Sequence, residues 1–182
     1  GADRARAGRV ETAPGGTLFL DEIGEMAPGL QSRLLRLLQE REYERLGSDR
    51  TQRADIRLVA ATHRDLAAGI RDGSFREDLY YRLKVISIKV PPLRERTEDI
   101  IMLAEWLLDK HAADSGRSPP RLTHEVRQAL LRYRWPGNVR ELSNVMERCA
   151  LLAGEEVTLC DLPGAFLDGT PRDPADAPRP PD

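Results

Sequence analysis

At 182 residues, 40% of them hydrophobic, the chain is long enough to bury a sizeable core and suits one or two compact units. Its formal charge of −2, with 32% of residues charged, gives no net attraction to nucleic acid or to an anionic membrane, so any polyanion contact has to be local. No apolar run approaches the roughly 20 residues that cross a bilayer and no signal-peptide pattern opens the chain, which argues against a membrane-spanning helix and for a cytoplasmic protein.

The first clear element is Thr-Leu-Phe-Leu at 17 to 20, bounded by Gly15-Gly16 and by Asp21-Glu22. A short continuous apolar run is expected of a strand buried on both faces of a parallel sheet. Behind Pro28, whose fixed φ suits a first helical turn, Leu30, Leu34, Leu37 and Leu38 recur at helical spacing. Residues 42 to 46 and 50 to 54 flank Gly47-Ser48 and are expected to pair as a small hairpin, after which 55 to 62 reads as a second buried strand. Short helices are expected over 63 to 71 and 75 to 83. The alternating β-branched stretch Lys-Val-Ile-Ser-Ile-Lys-Val at 84 to 90 predicts a third strand, ended by Pro91-Pro92.

From Thr97 the pattern is helical. Thr97 is expected to cap a helix carrying Ile100, Leu103, Ala104, Leu107 and Leu108, and Thr123 one carrying Val126, Ala129, Leu130 and Tyr133. Asn138, with Glu141 three residues on, starts a third helix whose stripe holds Val139, Leu142, Val145, Met146, Cys149 and Leu152, with Gly154 as its stop. Trp135 reads as a core anchor, His111 and His124 as surface residues. Cys149 and Cys160 lack C-x-x-C spacing and a neighbouring histidine cluster, so free thiols in a reducing compartment are expected, not a zinc site. Residues 169 to 182, rich in proline and poor in large apolar side chains, cannot offset the entropy of ordering and read as a disordered tail or linker.

Ligands of open α/β sheets bind outside the carboxyl ends of the strands, which is where Asp21 and Glu22 fall. Successive strand side chains point to opposite faces, so adjacent acids can take different tasks. In a nucleotide hydrolase the strand-end aspartate holds Mg²⁺ while an acidic neighbour orients or activates the attacking water. The bland alternative is a solvated strand end.

The match is not alone. GTLFLDEIGEM, QSRLLRLLQEREYERLG, RLVAATHRDL, FREDLYYRL, PPLRER and WPGNVREL follow one another in a single order, and together they resemble the AAA+ central domain of sigma-54-dependent transcription activators, the bacterial enhancer-binding proteins, from Gly1 to about Phe166. The resemblance implies an α/β fold, a partial AAA+ parallel-sheet core over 1–96 followed by a small all-helical lid over 97–168 and the tail at 169–182. It implies ATP and Mg²⁺ as cofactors. Asp21 and Glu22 are then the Walker B pair, Asp21 organising the metal and Glu22 polarising water. Thr62 and His63 fall at the sensor I position, where many relatives carry asparagine in place of His63. Arg76 and Arg82 match the arginine-finger positions, whose insertion from a neighbouring subunit contributes ~10³ to 10⁵ in rate. Outside the resemblance they are helix-surface arginines that pair with Glu77 or Asp78 at little gain. Arg140, a cation placed unfavourably in a helical first turn, matches sensor II. Its bland reading is a pair with Glu141 or Glu147.

A P-loop needs Gly-x-x-x-x-Gly-Lys-Ser/Thr, yet Lys84, Lys89 and Lys110 are followed by valine, valine and histidine. Gly1-Ala2 resemble the last two residues of the family's sigma-contacting motif Gly-Ala-Phe-Thr-Gly-Ala, so a fragment is expected: the P-loop part is missing, and DNA would be reached only through a domain absent here. The resemblance implies that the parent is a ring-forming homo-oligomer, a hexamer, that uses ATP to act on sigma-54 RNA polymerase holoenzyme, away from any membrane. The alternative function is a catalytically incomplete module that serves oligomerisation only. A helicase loader or chelatase subunit is a third option, disfavoured by the GADRARAGRVETAPGG lead-in and by WPGNVREL.

Overall fold

The computed structural model describes residues 8–44 and 50–166, which divide into two compact units, one ending at Ile88 and the other beginning at Lys89. No helix among the described residues is long and apolar enough to cross a membrane.

The first unit is α/β. It opens with β1 (Thr17–Leu20), passes through a 3₁₀ turn at Ile23–Glu25, and enters α1 (Pro28–Glu40) with Pro28 in the first turn, where the missing N–H costs nothing. Leu34 and Leu37 are the buried leucines of α1. The helix closes on Arg41 in the left-handed region (φ 55°). β2 (Glu42–Glu44) and β3 (Thr51–Arg53) pair antiparallel with Tyr43 opposite Gln52, the expected hairpin, whose tip at 45–49 lies outside the described residues. β4 (Arg57–Ala60) then returns beside β1 in parallel, Leu18 next to Leu58 and Leu20 next to Ala60. A parallel pair needs a long crossover, and α1 with the hairpin supplies it. α2 (Leu66–Arg71) starts at Asp65, whose carboxylate accepts from the N–H groups of Ala67 and Ala68 at 2.9 and 3.2 Å. It is followed by α3 (Glu77–Leu83). Ile23, Leu34, Leu37, Ala54, Phe75 and Leu79 form the core.

Two expectations fail in this unit. The strand pair is half-buried rather than buried on both faces, because Phe19 and Val59 face solvent at 58% and 41% exposure. The third strand, over 84 to 90, is not formed: the segment has no ladder partner among the described residues, and Val85, Ile86, Ile88 and Val90 are all more than three-quarters exposed. Alternating β-branched residues favour a strand only where a neighbour takes up the backbone hydrogen bonds and covers a face.

The second unit holds α4 (Thr97–Asp114), β5 (Arg121–Leu122), α5 (His124–Arg132), α6 (Asn138–Leu152) and β6 (Glu156–Val157). It is not all-helical, since β5 and β6 pair in parallel. Leu93 belongs to its core, so residues just before α4 sit with the helices. Thr123 caps α5 as expected, accepting from Val126 N–H. Thr97 does not cap α4 but is its first residue, with Arg96 at the cap position. Asn138 does not form a capping box either. Its side-chain oxygen accepts from Leu93 N–H at 2.8 Å, and Glu141 reaches back to Gly137 N–H at 2.9 Å. α6 stops at an extended Ala153, ahead of Gly154.

Trp135 is fully buried although its φ of 53° is strained for a bulky residue. Its indole N–H donates to Leu130 C=O at 2.9 Å, and Tyr133 packs edge-on at 5.1 Å between centroids. His111 is half-buried and bonded to Ser143, not a free surface residue. Cys149 is buried, Cys160 is exposed, and both are free thiols.

Candidate functional site

The acids lie just past the end of β1. Ile23 N–H donates to Ala61 C=O at 3.1 Å and Ala61 N–H to Leu20 C=O at 2.8 Å, so the ends of β1 and β4 are tied where the two chains leave the sheet. Gly24 fits there because it lacks a side chain: a Cβ would stand 2.7 Å from Thr62 Oγ1 and 3.0 Å from Arg64 Cβ. Arg64, which the sequence did not single out, donates to Gly24 C=O at 3.0 Å and lies 3.5 Å from Glu25, clasping the same turn.

Asp21 and Glu22 take different directions, but not through strand alternation. β1 ends at Leu20, and Glu22 sits in the left-handed region (φ 53°, ψ 42°), a conformation that costs a non-glycine residue about 1–3 kcal/mol. The turn frees Glu22 N–H to donate to Asp21 Oδ1 at 3.0 Å and sends the Glu22 carboxylate toward the end of β4. There Oε2 meets His63 Nδ1 at 2.6 Å. His63, the sensor I candidate, therefore contacts the water-activating candidate directly, and Oε1 of Glu22 makes no hydrogen bond among the described residues. Thr62 is turned inward, with Oγ1 accepting from Arg64 N–H at 3.1 Å.

Arg76 immediately precedes α3. Its guanidinium forks onto Asp78, Nε to Oδ1 at 3.0 Å and Nη2 to Oδ2 at 2.7 Å, and reaches Ser32 Oγ at 3.4 Å. Each group favours the other's charged form: hydrogen bonding to Asp78 raises the Arg76 pKa, and hydrogen bonding to Arg76 lowers that of Asp78. The pair is about half exposed, so its net gain is small and the guanidinium can leave it. Arg82 is exposed and donates to Leu38 C=O at 3.2 Å.

Gln31 links these parts, and the sequence reading missed it. It is the buried polar side chain of the described core, at 0% exposure. Its Nε2 donates to Met26 C=O and to Ser74 C=O, both at 2.8 Å, while Oε1 accepts from Arg76 N–H at 2.9 Å. An unbonded buried amide costs about 1–3 kcal/mol, and here every donor is used. The signal was available: Gln31 falls on the buried stripe with Leu34 and Leu37, where a leucine would be expected.

Arg140 belongs to the second unit, on the exposed side of the first turn of α6. The alternative pairing with Glu141 or Glu147 is not formed among the described residues; Glu141 instead accepts from Tyr133 O–H and Gly137 N–H, both at 2.9 Å. Arg140 makes no hydrogen bond or ion pair among the described residues.

Comparison with known proteins gives two family matches in chain order, a Sigma-54 interaction domain over residues 1–89 and an AAA+ ATPase lid domain over 94–178. The chain is similar to the transcriptional regulatory protein ZraR of Klebsiella oxytoca, 51% identical over 180 residues, covering 98% of this chain and 40% of that protein. It is also similar to the Nif-specific regulatory protein of Azotobacter vinelandii, 56% identical over 153 residues, covering 84% of this chain and 29% of the relative. Among solved structures, NtrX from Brucella abortus in complex with ATP matches at a TM-score of 0.87 and 35% identity, covering 96% of this chain and 40% of NtrX. NtrX in complex with ADP matches at the same TM-score and identity, over 97% of this chain and 41% of NtrX. The chain spans about two fifths or less of the length of these relatives.

Proposed function

Because the chain belongs to the sigma-54-dependent transcription activators, an AAA+ family, we propose that it is part of the ATP-binding and hydrolysing module of such a regulator, coupling hydrolysis to promoter opening by sigma-54 RNA polymerase. The observation that carries the reading is the Glu22–His63 contact at 2.6 Å, a carboxylate placed beside Asp21 at one strand end and held from the neighbouring strand end. His63 engages Oε2, which leaves Oε1 to accept a proton from the attacking water. The left-handed turn at Glu22 sets that geometry before substrate arrives.

The donor set fits a hard divalent cation. Asp21 is an exposed carboxylate at a strand end, and Glu22 N–H occupies only its Oδ1. Bound Mg²⁺ would neutralise charge on the phosphates of ATP, with Asp21 as its protein ligand. NtrX crystallises with ATP and with ADP, which supports nucleotide binding by the fold. These 182 residues contain no Gly-x-x-x-x-Gly-Lys-Ser/Thr, so the phosphate cradle has to be supplied by other residues. Arg140, unengaged on the lid, suits the sensor II role. Arg76 and Arg82, exposed and weakly held, suit fingers presented to a neighbouring subunit in a homo-oligomeric ring, for which a hexamer is the family-based expectation.

The test is Glu22→Gln in the full-length protein. Removing a general base costs about 10²–10⁴ in turnover, while ATP binding, which does not need the base, is retained within a few-fold. Unchanged turnover would remove Glu22 from its role.

A further inference from the structure

Three hydrogen bonds from one buried amide join segments that are far apart in sequence. Met26 ends the turn that carries Asp21 and Glu22, while Ser74 and Arg76 bracket the entry to α3, and Gln31 lies between them. The amide plane is rigid, so a carbonyl on the acid turn, a carbonyl before the arginine and the arginine's own N–H are held at fixed mutual positions. Arg76 has no side-chain cap of its own at the start of α3, and the Gln31 oxygen takes that part for its backbone N–H. Filling the site needs only a side chain of this volume, and Leu34 and Leu37 show what the rest of the stripe uses. What glutamine adds is directional: one amide bonds the carbonyl that ends the acid turn and the backbone N–H of Arg76 at once.

We propose that Gln31 is the positioning residue for Arg76, tying the placement of the arginine that one subunit presents to the state of that subunit's own Asp21–Glu22 turn. The inference rests on the reading of Arg76 as a finger used by a neighbouring subunit. The link runs through the backbone, so the guanidinium stays free to exchange Asp78 for phosphate while its root stays fixed. A subunit lacking the link carries an intact arginine in the wrong place.

Subunit mixing in the full-length protein tests this. Arg76→Ala subunits keep their acids but offer no finger. Glu22→Gln subunits offer the finger but do not turn over, so mixing the two is expected to restore ATP hydrolysis. Donors carrying Glu22→Gln together with Gln31→Met are expected to restore about tenfold to a hundredfold less, the scale of an ångström-sized misplacement, while co-sedimenting with the Arg76→Ala subunits as before. Equal restoration by both donors overturns the proposal. Should the Gln31→Met chain fail to assemble, Gln31→Asn, which keeps an amide but falls one methylene short, carries the same expectation and the same overturning result. If Glu22→Gln donors alone restore nothing, the trans role of Arg76 falls and the proposal falls with it, a result distinct from failure of the Gln31 link.

Discussion

The two units reach order by different means. Among the described residues, seventeen from Leu93 to Leu162 form one buried apolar cluster in the helical unit, against six in the α/β unit. The α/β unit also leaves Phe19 and Val59 of its parallel strand pair, and Val85, Ile86 and Ile88 at its end, in solvent. A two-stranded sheet is marginal without further strands or helices across it. Within these residues the helical unit has the larger closed core, and the α/β unit, which carries Asp21 and Glu22, has the smaller one.

Separating the units gives the largest expected effect. A polypeptide of residues 89–182 is expected to unfold in one cooperative transition followed by circular dichroism, because its core is contiguous and closed. Residues 1–88 alone are expected to show no such transition, since a cluster of six buried apolar residues among those described does not offset the entropy of ordering that length. A cooperative transition of comparable midpoint in both would break the comparison.

Single core truncations sharpen it. Trp135→Ala removes a fully buried ring, its contact with Tyr133 and the donor to Leu130 C=O, and is expected to cost about 3–5 kcal/mol by urea unfolding of the whole chain. Leu79→Ala, equally buried but in a thinner core that collapses more easily, is expected nearer about 2 kcal/mol. A larger loss for Leu79 than for Trp135 would mean that the α/β core is the more tightly packed.

Much of this was legible from local pattern. The acids at the end of β1, the hairpin at Tyr43 and Gln52, the middle of the α6 stripe at Leu142, Val145, Met146 and Cys149, though not its ends Val139 and Leu152, which are exposed, and the anchoring of Trp135 all follow from periodicity and turn chemistry. What was not legible depends on partners distant in sequence. Asn138 starts α6 as its spacing to Glu141 predicts, but the destination of its side-chain oxygen, Leu93 N–H 45 residues earlier, is not visible in that spacing. The stretch 84 to 90 has strand composition and no strand, because a ladder needs a neighbour that composition cannot supply. Asp21 and Glu22 diverge through a left-handed turn that no propensity scale assigns to glutamate, and the Glu22–His63 contact spans 41 positions. Gln31 stood in view as a polar residue on an apolar stripe, a break in pattern that marks a buried network rather than an error.

The smallest effect separates the units by pH. Both cysteines lie in the helical unit, and burial, with Asp161 nearby, pushes the Cys149 thiol from 9.0 up to about 11. The folded state therefore keeps a proton that the unfolded chain releases, so between about pH 9 and pH 11 the folded state binds more protons and stability falls as pH rises. The contribution is fully present below pH 9 and lost as pH passes through the folded value. In Cys149→Ala that component is gone, so the stability advantage of the unmodified chain over the variant is expected to shrink steadily from pH 8.5 to 10.5, measured by urea midpoints at fixed ionic strength. A constant difference across that range would mean that the thiol ionises in place. Since the α/β unit has no cysteine, any such slope reports the packing of the helical unit alone, which makes it a titration of the comparison itself.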